Sequence, residues 1–300
     1  MTGKIVGSSG GLYTVLSDEK VYRMRAKGAF RHTHDTPLVG DVCDFSSEKE
    51  NEYVISALHE RKNSLIRPAI SNIDKLIIAF APSSPSPDLL YIDKLISVAV
   101  FNKITPVIAI TKADIDGDEA ARLCEIYKKA GVPVFITSSK TGEGVDDLRE
   151  FIASFRGETF SFAGASGVGK SSLLNALFPK LALTVGNISE KIARGKHTTR
   201  AVSLFRLSEL IPGADGYVAD TPGFSMLDFI AFDFFTLEDL PGTFPEFEKY
   251  IGACRWHDCT HTKEDGCAIS GAVGLGEISR SRWESYLAMY ADLSKKNEYK

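Results

Sequence analysis

Short apolar runs separated by Gly, Ser, Asp and Pro make up the chain as far as about residue 68. Each run is long enough for one strand, and no helical periodicity interrupts them. The five predicted strands lie at residues 5–6, 12–16, 21–24, 41–45 and 53–55. Five short strands without a helix predict a small β-barrel, for which the OB-fold is the leading candidate.

Continuous apolar runs alternate with helix-like segments from about residue 74 onwards. Uninterrupted runs such as 74–81 and 106–110 are typical of strands buried on both faces. Helices are predicted at 89–100, 119–130 and 145–155, with further strands at 132–137, 159–163 and 216–219. This alternation indicates an α/β domain in which helices cover a parallel sheet.

The strand pattern ends at about residue 229, where a Phe-rich segment, a Cys/His cluster and a helix from about residue 275 follow. We therefore predict a multi-domain chain: a β-barrel at residues 1–68, an α/β domain at 69–228 and a mostly helical, metal-binding domain at 229–300. Cations of the last helix could contact the phosphates of a nucleic acid. They are Arg280, Arg282, Lys295 and Lys296.

The composition is that of a soluble globular protein, since 44% of the 300 residues are hydrophobic and 25% are charged. A net charge of −4 excludes a uniformly basic nucleic-acid coat protein but allows a local basic face. No apolar run approaches the roughly 20 residues that cross a bilayer, and the first residues lack the apolar core of a secretory signal. We expect a cytoplasmic protein without a membrane segment.

A phosphate loop is the most specific motif. Residues 164–171 match G-x-x-x-x-G-K-S between a predicted strand and a predicted helix. Backbone N–H groups would surround a phosphate, Lys170 would reach the β- and γ-phosphates, and the Ser171 hydroxyl would bind Mg²⁺. The predicted phosphate-binding residues are Gly164, Ala165, Ser166, Gly167, Val168, Gly169, Lys170, Ser171 and Ser172.

Two further motifs follow predicted strands and indicate guanine. Residues 111–114 (T-K-A-D) resemble the N/T-K-x-D motif of GTPases, whose Asp accepts hydrogen bonds from the base. Residues 138–140 (S-S-K) resemble the S-A-K motif that backs the guanine O6. Each alone could be an ordinary surface segment, but together with a phosphate loop they favour GTP over ATP. The predicted base-binding residues are Thr111, Lys112, Ala113, Asp114, Ser138, Ser139 and Lys140.

The order of the motifs predicts a circularly permuted domain. Residues 220–223 (D-T-P-G) look like the D-x-x-G motif, and the polar segment 195–200 (G-K-H-T-T-R) is placed like a switch loop. In a Ras-like chain the base-binding motifs come last, whereas here they precede the phosphate loop. The segment after residue 223 leads into the C-terminal domain, so we expect that domain's position to depend on the nucleotide. The predicted catalytic residues are His197, Thr199, Asp220 and Gly223, with Thr198 as the alternative to Thr199.

Four potential zinc ligands lie within fourteen residues near the C-terminus. The spacing C-x4-C-x-H-x5-C predicts a closed tetrahedral Zn²⁺ site without an open position for catalysis. An odd total of five cysteines argues against a disulfide framework. We predict that His257 faces solvent and that Cys43 and Cys124 are core residues. The predicted ligands are Cys254, Cys259, His261 and Cys267.

The barrel, the permuted GTPase and the zinc segment together resemble the RsgA family of bacterial ribosome-associated GTPases, over essentially the whole chain. The most specific marks are GASGVGKSSLLNAL, GKHTTR, DTPGF, FPEF and CRWHDCTHTKEDGCAI. The resemblance implies GTP hydrolysis that the small ribosomal subunit stimulates late in its assembly. Phe224 stands where Ras-like enzymes have Gln, so another group must position the water. The resemblance points to His197 of the G-x-H-T-T motif for this role, and an ordinary exposed loop His is the alternative. Thr111 departs from the commoner Asn, so guanine specificity rests more heavily on Asp114.

A basic window in the barrel is the candidate RNA surface. It contains Lys20, Arg23, Arg25, Lys27 and Arg31, interleaved with Tyr22 and Phe30. Strand alternation puts Arg23 and Arg25 on one face, where they could follow an RNA backbone. A solvated strand is the alternative, and the resemblance favours contact with small-subunit rRNA.

Two other function classes stay open: a GTP-dependent RNA-binding module with negligible turnover, and an ATPase or small-molecule kinase. The Mg²⁺-binding pair Ser171 and Asp220 favours turnover. We expect a monomer that binds GTP or GDP with Mg²⁺.

Overall fold

The computed structural model describes residues 1–31, 36–49, 52–66, 68–181, 202–220 and 236–298. Two units, each assembled from separate stretches of sequence, make up the chain. The first unit contains residues 1–75, 149–162 and 177–224, and the second contains residues 76–148, 163–176 and 225–300.

Five strands begin the first unit: β1 (Thr2–Ser9), β2 (Leu12–Ser17), β3 (Lys20–Ala26), β4 (Val42–Lys49) and β5 (Glu52–Leu58). They are hydrogen-bonded in the order β1-β2-β3-β5-β4, and β4 pairs back onto β1, which closes the barrel. Alternate residues of β2 are buried, as a strand with one face on the core requires. The predicted five-stranded, OB-like barrel is confirmed.

Two short strands, β6 (Ser64–Leu65) and β7 (Ile70–Ser71), form a hairpin after the barrel. Arg61 holds this segment against the barrel, because its guanidinium donates to both carboxylate oxygens of Asp41 at 2.7 Å. The Ser71 hydroxyl donates to the same carboxylate at 2.6 Å. The chain between the barrel and the α/β domain is therefore tied to the barrel by buried polar contacts.

Three strands start the second domain of the sequence: β8 (Lys75–Phe80), β9 (Thr105–Ile110) and β10 (Val134–Ile136). They are neighbours in the order β10-β9-β8, and β9 and β10 run parallel. The helices between and after them are α1 (Leu89–Phe101), α2 (Gly117–Lys129) and α3 (Val145–Ala153). Asp88 and Asp116 cap α1 and α2 by accepting a backbone N–H of the first turn. The predicted strand–helix alternation is confirmed.

Three strands of the first unit extend the barrel sheet: β11 (Thr159–Ala163), β12 (Ser203–Arg206) and β13 (Tyr217–Asp220). β13 pairs parallel with β11 and antiparallel with β12, and β12 pairs antiparallel with β1 through Ser203 and Gly7. The sequence pattern did not predict β12. Its four residues carry no clear alternation, and its strand conformation comes from hydrogen bonds to partners on both sides.

The further helices are α4 (Lys170–Leu177), the one-turn α5 (Leu207–Leu210), α6 (Ala268–Gly274) and α7 (Arg280–Glu298). Two 3₁₀ turns, Leu240–Thr243 and Pro245–Tyr250, precede α6. Across the described part of the chain, no helix combines the length and apolarity needed to cross a membrane.

Arg282 is the centre of a buried ion cluster in the second unit. Its Nε and Nη2 donate to the two carboxylate oxygens of Glu246 at 2.7 and 3.0 Å, and its Nη1 donates to Asp93 at 2.6 Å. Burial raises the pKa of Asp93, and the Arg282 charge opposes that rise. The cluster joins α1, the second 3₁₀ turn and α7.

The prediction that Arg282 contacts phosphate is therefore wrong. Residue type alone suggested an exposed cation, but the helical period places Arg282 on the same face as the buried Tyr286 and Met289. Arg280 does lie on the surface, where it pairs with Glu284.

We predict that Arg282→Met lowers the free energy of unfolding by about 3–5 kcal/mol, because two carboxylates stay buried without their counter-charge. The measurement is denaturant unfolding followed by circular dichroism. Arg280→Met on the exposed face of the same helix is the control, for which we expect a change within about 0.5 kcal/mol. Equal losses in the two variants would contradict the assignment.

Candidate nucleotide site and metal centre

The phosphate loop occupies the turn between β11 and α4. α4 begins at Lys170, so its partial positive charge lies at the end of the loop. Gly164 has a φ of +145°, and a Cβ there would lie 2.2 Å from the Ala79 carbonyl oxygen, so a side chain does not fit. Positive φ values at Gly167 and Gly169 complete the tight turn. The geometry suits a backbone cradle for phosphate.

The loop is buried at Gly164 and at Val168 and is exposed between them. Val168 is 3% exposed, whereas Ala165, Ser166 and Gly167 are exposed to solvent. Lys170 is half-buried, and the hydroxyl-bearing Ser171 and Ser172 are exposed at the start of α4. One buried side chain thus anchors a surface loop.

Residues 111–114 contact the phosphate loop through two side chains. The buried Thr111 hydroxyl hydrogen-bonds the Val168 carbonyl and lies 3.1 Å from the Phe80 carbonyl oxygen. Lys112 Nζ donates to the carbonyls of Gly167 and Ser84 at 2.7 and 2.8 Å. The T-K-A-D segment and the phosphate loop therefore form one structural assembly. Sequence reasoning did not assign a role to the loop that contains Ser84.

Asp114 and the S-S-K segment come together at the carboxyl ends of β9 and β10. The Ser138 hydroxyl donates to Asp114 Oδ1 at 2.6 Å, and Lys140 Nζ lies 3.6 Å from Asp114 Oδ2. The Ser138 hydrogen bond, helped by the Lys140 charge, lowers the pKa of Asp114. The group is thus an oriented carboxylate, which can accept two hydrogen bonds from the N1–H and 2-amino group of guanine.

Ala113 and Ser139 hold the main chain of the two segments. Ala113 is buried, and its N–H donates to the Thr137 carbonyl at 3.1 Å. Ser139 is half-buried next to Ser138, whose hydroxyl oxygen accepts the N–H of Lys140 at 3.3 Å. All seven predicted base-binding residues lie in the second unit, on the strand ends and loops just described.

The predicted catalytic residues are placed only in part. Asp220 ends β13, and its main chain pairs with Ser203 of β12. His197, Thr199 and Gly223 lie outside the described residues.

The Cys/His cluster has the dimensions of a tetrahedral metal site. The ligand atoms of Cys254, Cys259, His261 and Cys267 all lie within 4.8 Å of one another. His261 Nδ1 is 3.5 Å from Cys254 Sγ and 3.6 Å from Cys267 Sγ. Bonds of about 2.0–2.3 Å around Zn²⁺ place ligand atoms about 3.3–3.8 Å apart. The cluster is therefore compatible with zinc, and the exposed His257 is not among its members.

Burial raises the pKa of the Cys259 thiol to about 12, and it also raises the pKa of Cys267. Without a cation these thiols would stay protonated at neutral pH, whereas a divalent metal takes the place of the protons.

Helix α7 supports the cluster through two aromatic side chains, Trp283 and Tyr286. The helical period of the sequence places Tyr286 in a packing stripe but predicts no contact of either residue with the Cys/His loop. Trp283 Nε1 donates to the His261 carbonyl at 3.0 Å, and the Tyr286 hydroxyl donates to the Thr260 carbonyl at 2.7 Å. The Glu264 carboxylate accepts the N–H groups of Thr260 and Thr262, each at 3.0 Å. A spacing of three residues puts Trp283 and Tyr286 on one helix face, which was the available sequence signal.

Two family profiles match the chain. The RsgA N-terminal domain matches residues 2–55, and the RsgA GTPase matches residues 58–230. Among curated relatives, the small ribosomal subunit biogenesis GTPase RsgA of Moorella thermoacetica is 42% identical over 293 residues, which cover 98% of this chain and 97% of that protein. The protein of the same name from Bacillus subtilis is 39% identical and covers 97% of both chains.

Two solved structures share the whole architecture. The crystal structure of YloQ, a circularly permuted GTPase, matches with a TM-score of 0.77 and 36% identity over 98% of this chain and 95% of that chain. YjeQ from Thermotoga maritima matches with a TM-score of 0.80 and 32% identity over 97% and 98%. Together with the phosphate loop, the base-binding segments and the permuted motif order, these matches show that the chain belongs to the RsgA GTPase family.

Proposed function

We propose that this protein hydrolyses GTP when it is bound to the small ribosomal subunit, and that it acts in the assembly of that subunit. The observation that carries the proposal is the contact of Thr111 and Lys112 with the phosphate-loop carbonyls, beside an oriented Asp114. Base recognition and phosphate binding are then parts of one site. The names of the curated relatives supply the partner.

Within this site each residue type has one task. Asp114 accepts hydrogen bonds from guanine, and the Lys112 stem lies across the base. Lys170 and the loop N–H groups bind the β- and γ-phosphates, which offsets charge that develops during transfer. The Ser171 hydroxyl and the Asp220 carboxylate are the Mg²⁺-binding groups that we assign, and bound Mg²⁺ would neutralise phosphate charge.

Three residues outside the described part of the chain complete the proposal. Thr199 is assigned to the Mg²⁺ shell and Gly223 to the γ-phosphate. His197 is assigned to the attacking water, because Phe224 can neither accept nor donate a hydrogen bond.

Zinc is proposed to be structural. Four protein ligands fill a tetrahedral shell, so no position is open for substrate. The bound metal would fix Thr260 and His261, and through Trp283 and Tyr286 it would fix the loop to α7.

The proposed RNA contact is on the barrel. Arg23 and Arg25 are exposed on β3 while Met24 between them is buried, as strand alternation requires. Tyr22 is half-buried and packs against Phe45 and Tyr53, with ring centroids 5.0 and 4.9 Å away. The arginines, rather than a free Tyr22 ring, are thus the groups that we assign to rRNA phosphates.

The proposed domains are residues 1–68, 69–228 and 229–300. We propose a monomer that works in the cytoplasm, where its ribosomal partner is found.

The direct test is phosphate release from GTP with small subunits, with large subunits and with neither. We expect stimulation by small subunits alone. His197→Ala should lose the stimulated rate and keep its GTP affinity, while His257→Ala, at an exposed position, should match the wild type. Binding of GTP and of subunits without any stimulated turnover would favour the alternative, an RNA-binding module in which GTP is not consumed.

We predict that Asp114→Asn weakens GTP binding at least about 100-fold, because two charge-assisted hydrogen bonds to guanine are lost. Titration of a fluorescent GDP analogue measures the affinity. Asp118→Asn, a change of the same kind at an exposed position on α2, should bind as the wild type does. ATP that displaces GTP with similar affinity from the wild type would contradict guanine recognition.

We predict one equivalent of zinc in the purified protein, measured by elemental analysis. Cys259→Ser should lose most of it, because a hydroxyl is a poor replacement for a thiolate ligand. Cys124→Ala, which removes a buried cysteine outside the cluster, should retain the full equivalent. Equal zinc content in the two variants would show that the metal is bound elsewhere.

A further inference from the structure

Lys4 of the barrel strand β1 bridges two strands of the α/β domain. Its Nζ donates to the Thr159 hydroxyl on β11 at 3.0 Å and lies 4.3 Å from the centroid of the Tyr217 ring on β13. Thr159 and Tyr217 are direct neighbours in the β11–β13 pairing. Burial lowers the pKa of Lys4 to about 8, and Asp74 opposes that shift. A half-buried ammonium group therefore lies where the barrel meets these strands.

A second contact connects the barrel to β12. Glu19, in the turn between β2 and β3, pairs with Arg206 through both carboxylate oxygens, at 2.5 and 2.6 Å. The turn has positive φ at both Asp18 and Glu19, a conformation that non-glycine residues seldom adopt. A bidentate pair between residues 187 positions apart is specific in its geometry. Together with the β1–β12 pairing, these two contacts form what we call the barrel junction, made of Lys4, Glu19, Thr159, Arg206 and Tyr217.

The strands bound at the barrel junction lead along the chain to the nucleotide motifs. β11 continues into the phosphate loop at Gly164, and β13 continues into the D-T-P-G motif at residues 220–223. β12 starts at Ser203, three residues after the G-K-H-T-T-R motif at 195–200 ends. Each strand is only four or five residues long and is hydrogen-bonded to a neighbour. Hydrogen-bonded strands of this kind form the contiguous network of contacts through which two sites can be coupled.

We propose that the barrel junction couples RNA contact on the barrel to GTP hydrolysis. When RNA displaces the barrel, β11, β12 and β13 shift with it. The phosphate loop after β11, the G-K-H-T-T-R motif before β12 and the D-T-P-G motif at the end of β13 then change position. Lys4, Glu19 and Arg206 are positioning residues in this mechanism, since none of them belongs to the nucleotide motifs or to the basic window that we assign to RNA. The inference rests on the proposed function, and it adds the route by which the subunit stimulates turnover.

Reciprocity gives the mechanism a second observable. If bound RNA changes the relative affinity of the site for GTP and GDP through the barrel junction, the two nucleotides must change the affinity for the subunit by the same difference in free energy, a reciprocity of binding and not of hydrolysis rate. The ratio of subunit affinities with a non-hydrolysable GTP analogue and with GDP therefore measures the coupling without any turnover.

The test uses the full-length protein with the single changes Lys4→Met, Glu19→Arg and Arg206→Glu. We expect each to lower subunit-stimulated hydrolysis at least about five-fold, the lower end of typical coupling between sites. The affinity ratio should move towards one, with GTP affinity and intrinsic hydrolysis unchanged. Combining Glu19→Arg with Arg206→Glu restores an opposite-charge pair. The double variant should recover much of the stimulated hydrolysis rate and much of the ratio of subunit affinities. Thermal unfolding verifies that each variant is folded.

Matched controls are available on α2, which is not part of the barrel junction. Lys128→Met removes an exposed ammonium, and Glu119→Arg breaks another bidentate pair, with Arg122. Both should keep wild-type stimulation. Folded junction variants with wild-type stimulation and affinity ratio would overturn the inference, as would a loss that the α2 controls share. A wild-type protein that small subunits do not stimulate would instead refute the proposed function, and the coupling inference with it.

Discussion

The orientation of the phosphate-loop backbone is the constraint on which the nucleotide site depends. A loop that directs its N–H groups towards a ligand directs carbonyl groups back into the protein, where each needs a donor. The Thr111 hydroxyl and the Lys112 ammonium supply donors for the carbonyls of Val168 and Gly167. The segment that we assign to the base is therefore also the support of the segment that we assign to phosphate. The permuted chain keeps this relation although the two segments are in reversed order.

In the C-terminal part of the second unit, helix α7 contacts both a buried ion cluster and the loop with the Cys/His cluster. Arg282 of α7 compensates the buried carboxylates of Asp93 and Glu246. Trp283 and Tyr286 of the same helix donate to two carbonyls of the loop that carries the Cys/His cluster. Burying a charged side chain without a partner is costly, but a buried charge that is paired holds its neighbours in one geometry. The helix is held both by an ion cluster and by the metal-binding loop.

Local sequence patterns predicted most of the architecture because strand alternation, burial and turn conformation depend mainly on neighbouring residues. Alternation in the barrel, continuous apolar runs in β8 and β9, and the glycines of the phosphate loop each follow from the backbone of their own segment. The motif spacing likewise identified the Cys/His cluster. What local patterns could not show were contacts between distant residues. β12 is a strand because it pairs with β1 and β13, which are distant in sequence. The burial of Arg282 likewise depends on Asp93 and Glu246, and nothing in the sequence around Arg282 indicates these partners. The catalytic assignment of His197 and Thr199 stays a prediction.

The interleaving of the two units has a consequence for synthesis. The barrel can close once residue 58 has left the ribosome, but the first unit also needs residues 149–162 and 177–224. The contacts of Lys4 with Thr159 and of Glu19 with Arg206 close loops of 155 and 187 residues. Long-range contacts of this kind form late. During synthesis the barrel strands are therefore complete well before their partners exist, since Thr159 lies just past the midpoint of the 300 residues and Arg206 lies about two thirds of the way along.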